Sequence, residues 1–185
     1  ICFVPSNDYR KLLKERGVEM HPGRIVDVFG RDHGPHEGTE HFTIGQRRGH
    51  GVAVGVPMYV VEIHPDEGLV VVGTEADCKA PSMRVEDLNW LGFDVPADGT
   101  FRCAVQVRYR HEAAPATVEV DAKGGGATVT FDEPQMAVAP GQGAAFYELT
   151  PEGVGGDLSL GGGWIESAAR PTADPDPGSE AASAA

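Results

Sequence analysis

From Phe101 to Arg110 the chain alternates with a period of two. Phe101, Cys103, Val105, Val107 and Tyr109 fall on one side, and Arg102, Gln106, Arg108 and Arg110 on the other. Only an extended strand with one apolar face satisfies that pattern, because a helix would scatter both sets around its axis. Short runs of the same kind follow. Residues 116–120 and 127–131 flank the turn Gly124-Gly125-Gly126 as a hairpin, and 136–138, 143–147 and 158–160 read as further strands. Glycine (25) and proline (14) punctuate the 185 residues too often for long helices. Many short strands joined by frequent turns predict a closed antiparallel barrel over residues 83–168.

The N-terminal part reads differently. Residues 8–16 are the best helix candidate, with Ser6, Asn7 or Asp8 to cap it, Leu12 and Leu13 facing inward and Gly17 to end it. Strands are predicted at 24–29, 41–44, 58–63 and 69–72, the last two joined by the turn Pro65-Asp66-Glu67-Gly68. The segment around His33, Gly34 and Gly38 reads as a glycine-rich turn. The predicted class is mainly β, two small β-rich or barrel domains with a short N-terminal helix. The predicted division is the edge of a preceding domain at 1–7, a central domain at 8–74 in the form of a small barrel or sandwich, a linker at 75–82, the barrel, and a flexible tail at 169–185. That tail is rich in Ala, Pro, Asp and Ser and has too little apolar surface to offset its ordering entropy.

A formal net charge of −13 argues against indiscriminate nucleic-acid binding, which phosphate contacts dominate, and leaves room for a local basic face. No apolar run reaches the roughly 18 residues of a membrane span. No signal segment is visible. Three cysteines, none in a Cys-x-x-Cys pair, suit a reducing compartment better than a disulfide framework, so a soluble cytoplasmic location with no membrane partner is expected.

Several residues could carry chemistry. Cys2 lies in the run Ile1-Cys2-Phe3-Val4-Pro5, which opens in mid-strand without a methionine and suggests an upstream domain. Its thiol is either a buried small hydrophobe or a reactive group able to carry sulfane sulfur, and sequence position leaves both open. Cys103 sits on the apolar side of its strand, and Cys78 in the linker. His33, His36 and His41, interleaved with Asp32, Glu37 and Glu40, invite a metal reading, but their spacing is that of no helical or knuckle site, so no metal is expected. No glycine-rich phosphate loop opens a helix, so no nucleotide site is expected within the chain. Arg47 and Arg48 lie between glycines on a predicted loop. Arg102, Arg108 and Arg110 share a strand face beside Tyr109. Arginine forks suit phosphate oxygens and a tyrosine ring suits a sugar or base, while salt bridging to the chain's many carboxylates is the competing use. Gly161-Gly162-Gly163 is expected to let two backbones approach closely.

The ordered set of short blocks is more specific than any one of them. Ile1-Cys2-Phe3-Val4-Pro5, Pro22-Gly23, Gly34-Pro35-His36-Glu37-Gly38, His41-Phe42-Thr43-Ile44-Gly45-Gln46-Arg47-Arg48-Gly49, Tyr59-Val60-Val61, Val107-Arg108-Tyr109-Arg110, Phe131-Asp132-Glu133-Pro134, Ala137-Val138-Ala139-Pro140-Gly141-Gln142, Phe146-Tyr147 and Leu160-Gly161-Gly162-Gly163 succeed one another. In this order and spacing, from residue 1 to about 167, the chain resembles the bacterial tRNA-specific 2-thiouridylases.

The resemblance implies a C-terminal portion of a longer sulfurtransferase, with a barrel similar to the second domain of translation elongation factors. An ATP-pyrophosphatase domain, binding ATP with Mg, would precede it, and this portion would bind no cofactor and be inactive alone. In such enzymes ATP adenylates the C2 oxygen of the wobble uridine, making AMP the leaving group, and a cysteine persulfide supplies sulfur to C2. Cys2 matches the persulfide carrier of the family's Ile-Cys-Phe motif. Arg108, Tyr109 and Gln142 match its C-terminal RNA contacts, and Arg47, Arg48 and Arg110 are added here as candidates. The implied partners are the anticodon arm of tRNA and a sulfur donor such as a cysteine desulfurase or relay protein. The alternative is a non-catalytic RNA- or ribosome-binding barrel in which Cys2 is structural.

Overall fold

The computed structural model describes residues 12–13, 15–153 and 155–170. It forms two compact units that meet in sequence between Thr74 and Glu75. Cys2 and most of the predicted helix lie outside the described residues. Leu12, Leu13 and Glu15 are helical, and the Val18 N–H donates to the Leu13 carbonyl at 3.1 Å around Gly17, whose φ is +65°. None of the helices among the described residues is long and apolar enough to cross a membrane.

The first unit is a four-stranded sheet built from β1 (Gly23–Asp27), β2 (Asp32–His36), β3 (Tyr59–His64) and β4 (Leu69–Gly73), in the order β2-β1-β4-β3. β4, with Leu69 and three valines, is central and pairs with β1 in parallel and with β3 as the predicted hairpin. Among the described residues these strands form one four-stranded sheet with a single parallel pair, where a small barrel or sandwich is expected from the sequence. Two local expectations also fail. Residues 32–36 form an edge strand, because an edge tolerates Pro35 and Gly34 absorbs a φ of +113° opposite Ile25, where the register slips. Residues 41–44 are not a strand. Thr39–His41 is a 3₁₀ turn, and Phe42 instead packs on the core of Ile25, Met58, Val60, Val70 and Val72. Gly23 and Gly68 are both obligatory here, since a Cβ on Gly23 would lie 1.7 Å from the Gly68 oxygen.

The second unit is a closed antiparallel barrel of β5 (Lys79–Trp90), β6 (Thr100–Gln106), β7 (Ala114–Val120), β8 (Gly126–Met136), β9 (Gly143–Leu149) and β10 (Gly155–Ala169), in the order β10-β5-β8-β7-β6-β9. Phe146, Ile165, Val85, Val105, Val118 and Val129 fill its interior. The predicted linker is shorter than 75–82, because β5 starts at Lys79. Pro81 lacks an N–H yet fits the strand, since it sits where the β5–β8 register slips between Ala80 and Ser82. Ala169, placed in the tail by composition, still pairs with Ser82; the rest of the tail from Pro171 lies outside the described residues. The glycine triplet behaves as expected. A Cβ on Gly162 would stand 2.6 Å from the Ala144 oxygen and one on Gly163 2.5 Å from the Glu86 oxygen, so β10 lies against both neighbours only with glycine there.

The alternation that opens the barrel also stops earlier than its pattern. Cys103, Val105 and Val107 point inward, but β6 ends at Gln106 and the chain turns at Arg108 to reach β7. Tyr109 therefore leaves the apolar row and is 84% exposed.

Candidate functional site

The arginines divide by what faces them. In the sheet unit Arg24 pairs with Asp32, and the Arg31 Nε donates to the Asp27 carboxylate at 2.8 Å. In the barrel Arg84 forks onto Asp121, with Glu166 at 3.8 Å, and Arg102 forks onto Asp132 while reaching Thr117. These guanidiniums hold the Asp32, Asp121 and Asp132 carboxyls below the usual carboxylate range. Arg102 thus serves the salt-bridging use. Arg47, Arg48, Arg108 and Arg110 form no ion pair among the described residues. A guanidinium left with its donors toward water keeps them for an anionic oxygen from outside.

Arg108 and Arg110 are presented by a tight turn after β6. The His111 N–H donates to the Arg108 carbonyl at 3.0 Å, and the Gln106 amide donates to the His111 carbonyl. Arg110 takes a left-handed φ of 66°, a conformation costing a non-glycine residue about 1 kcal/mol. Its guanidinium lies 5.4 Å from the centroid of the exposed Tyr109 ring. The turn therefore offers two cations and an aromatic face at one point. Gln142 lies elsewhere on the barrel, exposed on the turn into β9, where its carbonyl accepts the Ile165 N–H at 2.8 Å.

Arg47 and Arg48 sit in the sheet unit on an exposed loop whose backbone is fixed by its neighbours. The Gly45 N–H donates to the Val60 carbonyl (2.8 Å) and the Val60 N–H to the Gln46 carbonyl (3.0 Å). The Gln46 side chain accepts the Thr43 N–H (3.1 Å) and donates to the Arg48 carbonyl (2.8 Å). His50, buried, closes the loop: its Nε2 faces the carbonyls of Arg47 (3.0 Å) and Met58 (3.1 Å), and its Nδ1 accepts the Val52 N–H (3.2 Å). With two carbonyls on one nitrogen and an amide on the other, the proton resides on Nε2. His50 positions the two arginines and escaped the sequence reading, which had no view of the partners its ring meets.

The remaining candidates are structural. His33 Nε2 lies 3.2 Å from the buried Asp27 carboxylate. Burial raises the Asp27 pKa, and hydrogen bonds from the Arg31 backbone, His33, the Arg31 side chain and the Phe29 backbone outweigh it and hold the carboxyl low. His36 donates through Nε2 to the Gly68 carbonyl and packs edge-on against Phe42. No three His, Cys, Asp or Glu side chains gather around a common point among the described residues. Cys78 and Cys103 are fully buried, and burial pushes the Cys103 thiol up to about 12, which leaves it unreactive at neutral pH.

Comparison with known proteins agrees with this architecture. Residues 80–165 match the aminomethyltransferase β-barrel domain, and residues 10–74 match the tRNA methyl transferase PRC-barrel domain. The chain is 47% identical over 167 residues to the tRNA-specific 2-thiouridylase MnmA of Carboxydothermus hydrogenoformans, covering 90% of this chain and 43% of that protein. It is 45% identical to the MnmA of Solibacter usitatus (90% and 45%) and 44% identical to that of Geobacter metallireducens (91% and 43%). It spans a little under half the length of these relatives. With both β-units and nine-tenths of its residues aligned, the chain belongs to the tRNA-specific 2-thiouridylase family.

Proposed function

We propose that this chain is the tRNA-holding part of a tRNA-uridine 2-sulfurtransferase and that Cys2 carries the sulfur that is transferred. The observation that carries the RNA reading is the division of the arginines. A chain with 28 acidic residues pairs Arg24, Arg31, Arg84 and Arg102 internally yet leaves Arg47, Arg48, Arg108 and Arg110 facing outward on two braced turns. On this reading the four contact phosphates of the anticodon arm, Tyr109 packs on a sugar or base, and Gln142 contributes a polar contact. The acidic remainder of the surface disfavours other nucleic acids.

The sulfur reading rests on the family and on Cys2 in its Ile-Cys-Phe motif. A persulfide is more acidic than its thiol and exposes a terminal sulfur, so Cys2 would present a nucleophile at neutral pH to C2 of an activated uridine. On the family reading ATP with Mg is assigned to no residue of this chain. Adenylation belongs to the part of the family's length that the chain does not span. The setting is the cytoplasm.

Incubating the chain with a cysteine desulfurase and labelled cysteine tests the sulfur role. One labelled persulfide is expected on Cys2 and none in Cys2→Ser, with the buried Cys78 and Cys103 unlabelled. Full labelling of Cys2→Ser would sink the carrier role. Tight tRNA binding without any loading of Cys2 would favour the non-catalytic RNA- or ribosome-binding reading.

A further inference from the structure

A cleft of about 440 Å³ opens on the outer wall of the barrel, directly after the turn that presents Arg108, Tyr109 and Arg110. Gln106, at the end of β6, and Tyr147 of β9 lie on the same outward side, since Ala104 pairs with Tyr147 and Gln106 with Ala145 while Phe146 and Val105 point inward. His111 and Glu112, just past the turn, form another wall, and Gly155 and Gly156 of β10 complete the lining. Glycine is needed at 155, where a Cβ would stand 2.9 Å from that of Ala113.

The charges are arranged by depth. The neighbouring turn carries two unpaired guanidiniums, whereas the cleft itself holds an amide, an imidazole, a phenol and the Glu112 carboxylate. A phosphate inside would meet Glu112. A nucleotide entering base first would leave its phosphate at the arginines and bring its base edge to Gln106, His111 and Glu112, with the Tyr147 ring beside it. Those side chains supply donors and acceptors of both kinds, as reading a base edge requires. The space is within the range of small-ligand sites.

Resting on the RNA reading above, we infer that this cleft receives one unstacked nucleobase from the loop of the bound RNA, its backbone held by Arg108 and Arg110 at the adjacent turn. His111 and Glu112 are then specificity-determining residues, while the arginines bind any sequence. Their side chains make no hydrogen bond or ion pair among the described residues, so His111→Ala/Glu112→Gln should fold as the parent does.

The test uses the full 185-residue chain and an anticodon stem-loop RNA in which each loop nucleotide in turn is made abasic. For the unaltered chain, one abasic position is expected to weaken binding about tenfold, the loss typical of a stacked base. In His111→Ala/Glu112→Gln the same abasic substitution should cost less than about twofold, since the contact is already gone. Arg108→Ala should weaken all the RNAs alike. If every abasic loop binds as the intact loop does, or the penalty is unchanged in the double variant, the cleft takes no base and this inference fails while the RNA reading stands. If the intact loop does not bind at all, both fail.

Discussion

Arg102 and Arg108 occupy equivalent outward positions in one alternating run, yet one is bound and the other is free. What separates them is the neighbouring strands: Arg102 meets Thr117 of β7 and Asp132 of β8, while Arg108 falls beyond the end of β6 and pairs with no carboxylate among the described residues. Arg108→Ala is expected to weaken tRNA binding several-fold and to reduce the salt slope by about one contact, whereas Arg102→Ala should leave affinity near that of the parent; fluorescence anisotropy with labelled tRNA over a salt series separates the two. The sequence shows which arginines exist and their spacing. It does not show which of them a carboxylate thirty positions away will neutralise. Asp27 is the converse case, an acidic residue whose surroundings no pattern announces. Its carboxylate accepts the Phe29 and Arg31 amides at 3.0 Å within the β1–β2 connection. Asp27→Ala should cost about 2 kcal/mol in urea unfolding by leaving those amides without an acceptor.

At the scale of elements, hairpins with their turns and buried strands were legible, and non-local pairings were not. β4 and the β7–β8 hairpin follow from apolar runs and glycine punctuation, which are local. The parallel pairing of β1 with β4, the edge strand at Asp32–His36 and the end of β6 at Gln106 depend on pairing that a window of neighbours does not contain. One element junction carries a pH signature. The His21 ring pairs with Glu40 of the 3₁₀ turn, and the Thr39 N–H donates to the His21 carbonyl at 2.9 Å. Burial pushes the Glu40 carboxyl up, but the His21 side chain and backbone amides outweigh it and bring it to about 2. The Glu40 hydrogen bond raises His21, against a smaller opposing effect of burial. A raised histidine contributes stability below its unfolded pKa, and this is lost as pH rises through the folded one. A depressed carboxyl contributes above its unfolded value of 4.5, and this is lost as pH falls through about 2. Thermal melts of the parent and Glu40→Gln should therefore differ most between about pH 4.5 and 6.5, and the gap should narrow, without closing, as pH rises above the folded His21 pKa.

For the whole molecule, a charge of −13 and the proposed RNA partner are reconciled by where the free cations lie rather than by their sum. Each unit contributes one pair, Arg47 with Arg48 on a loop braced by Gln46 and His50, and Arg108 with Arg110 on the turn after β6. Sequence pattern named all four as candidates beside Arg102; which of the five stay unpaired, and the braces that present them, came only from the fold. The most direct measurement is the salt dependence of tRNA affinity for the chain with all four changed to alanine, set beside the parent. Loss of four phosphate contacts to single-stranded or loop RNA predicts a slope of log affinity on log salt that is shallower by about 3, with much weaker binding at low salt. An unchanged slope and affinity in the quadruple variant would contradict the account.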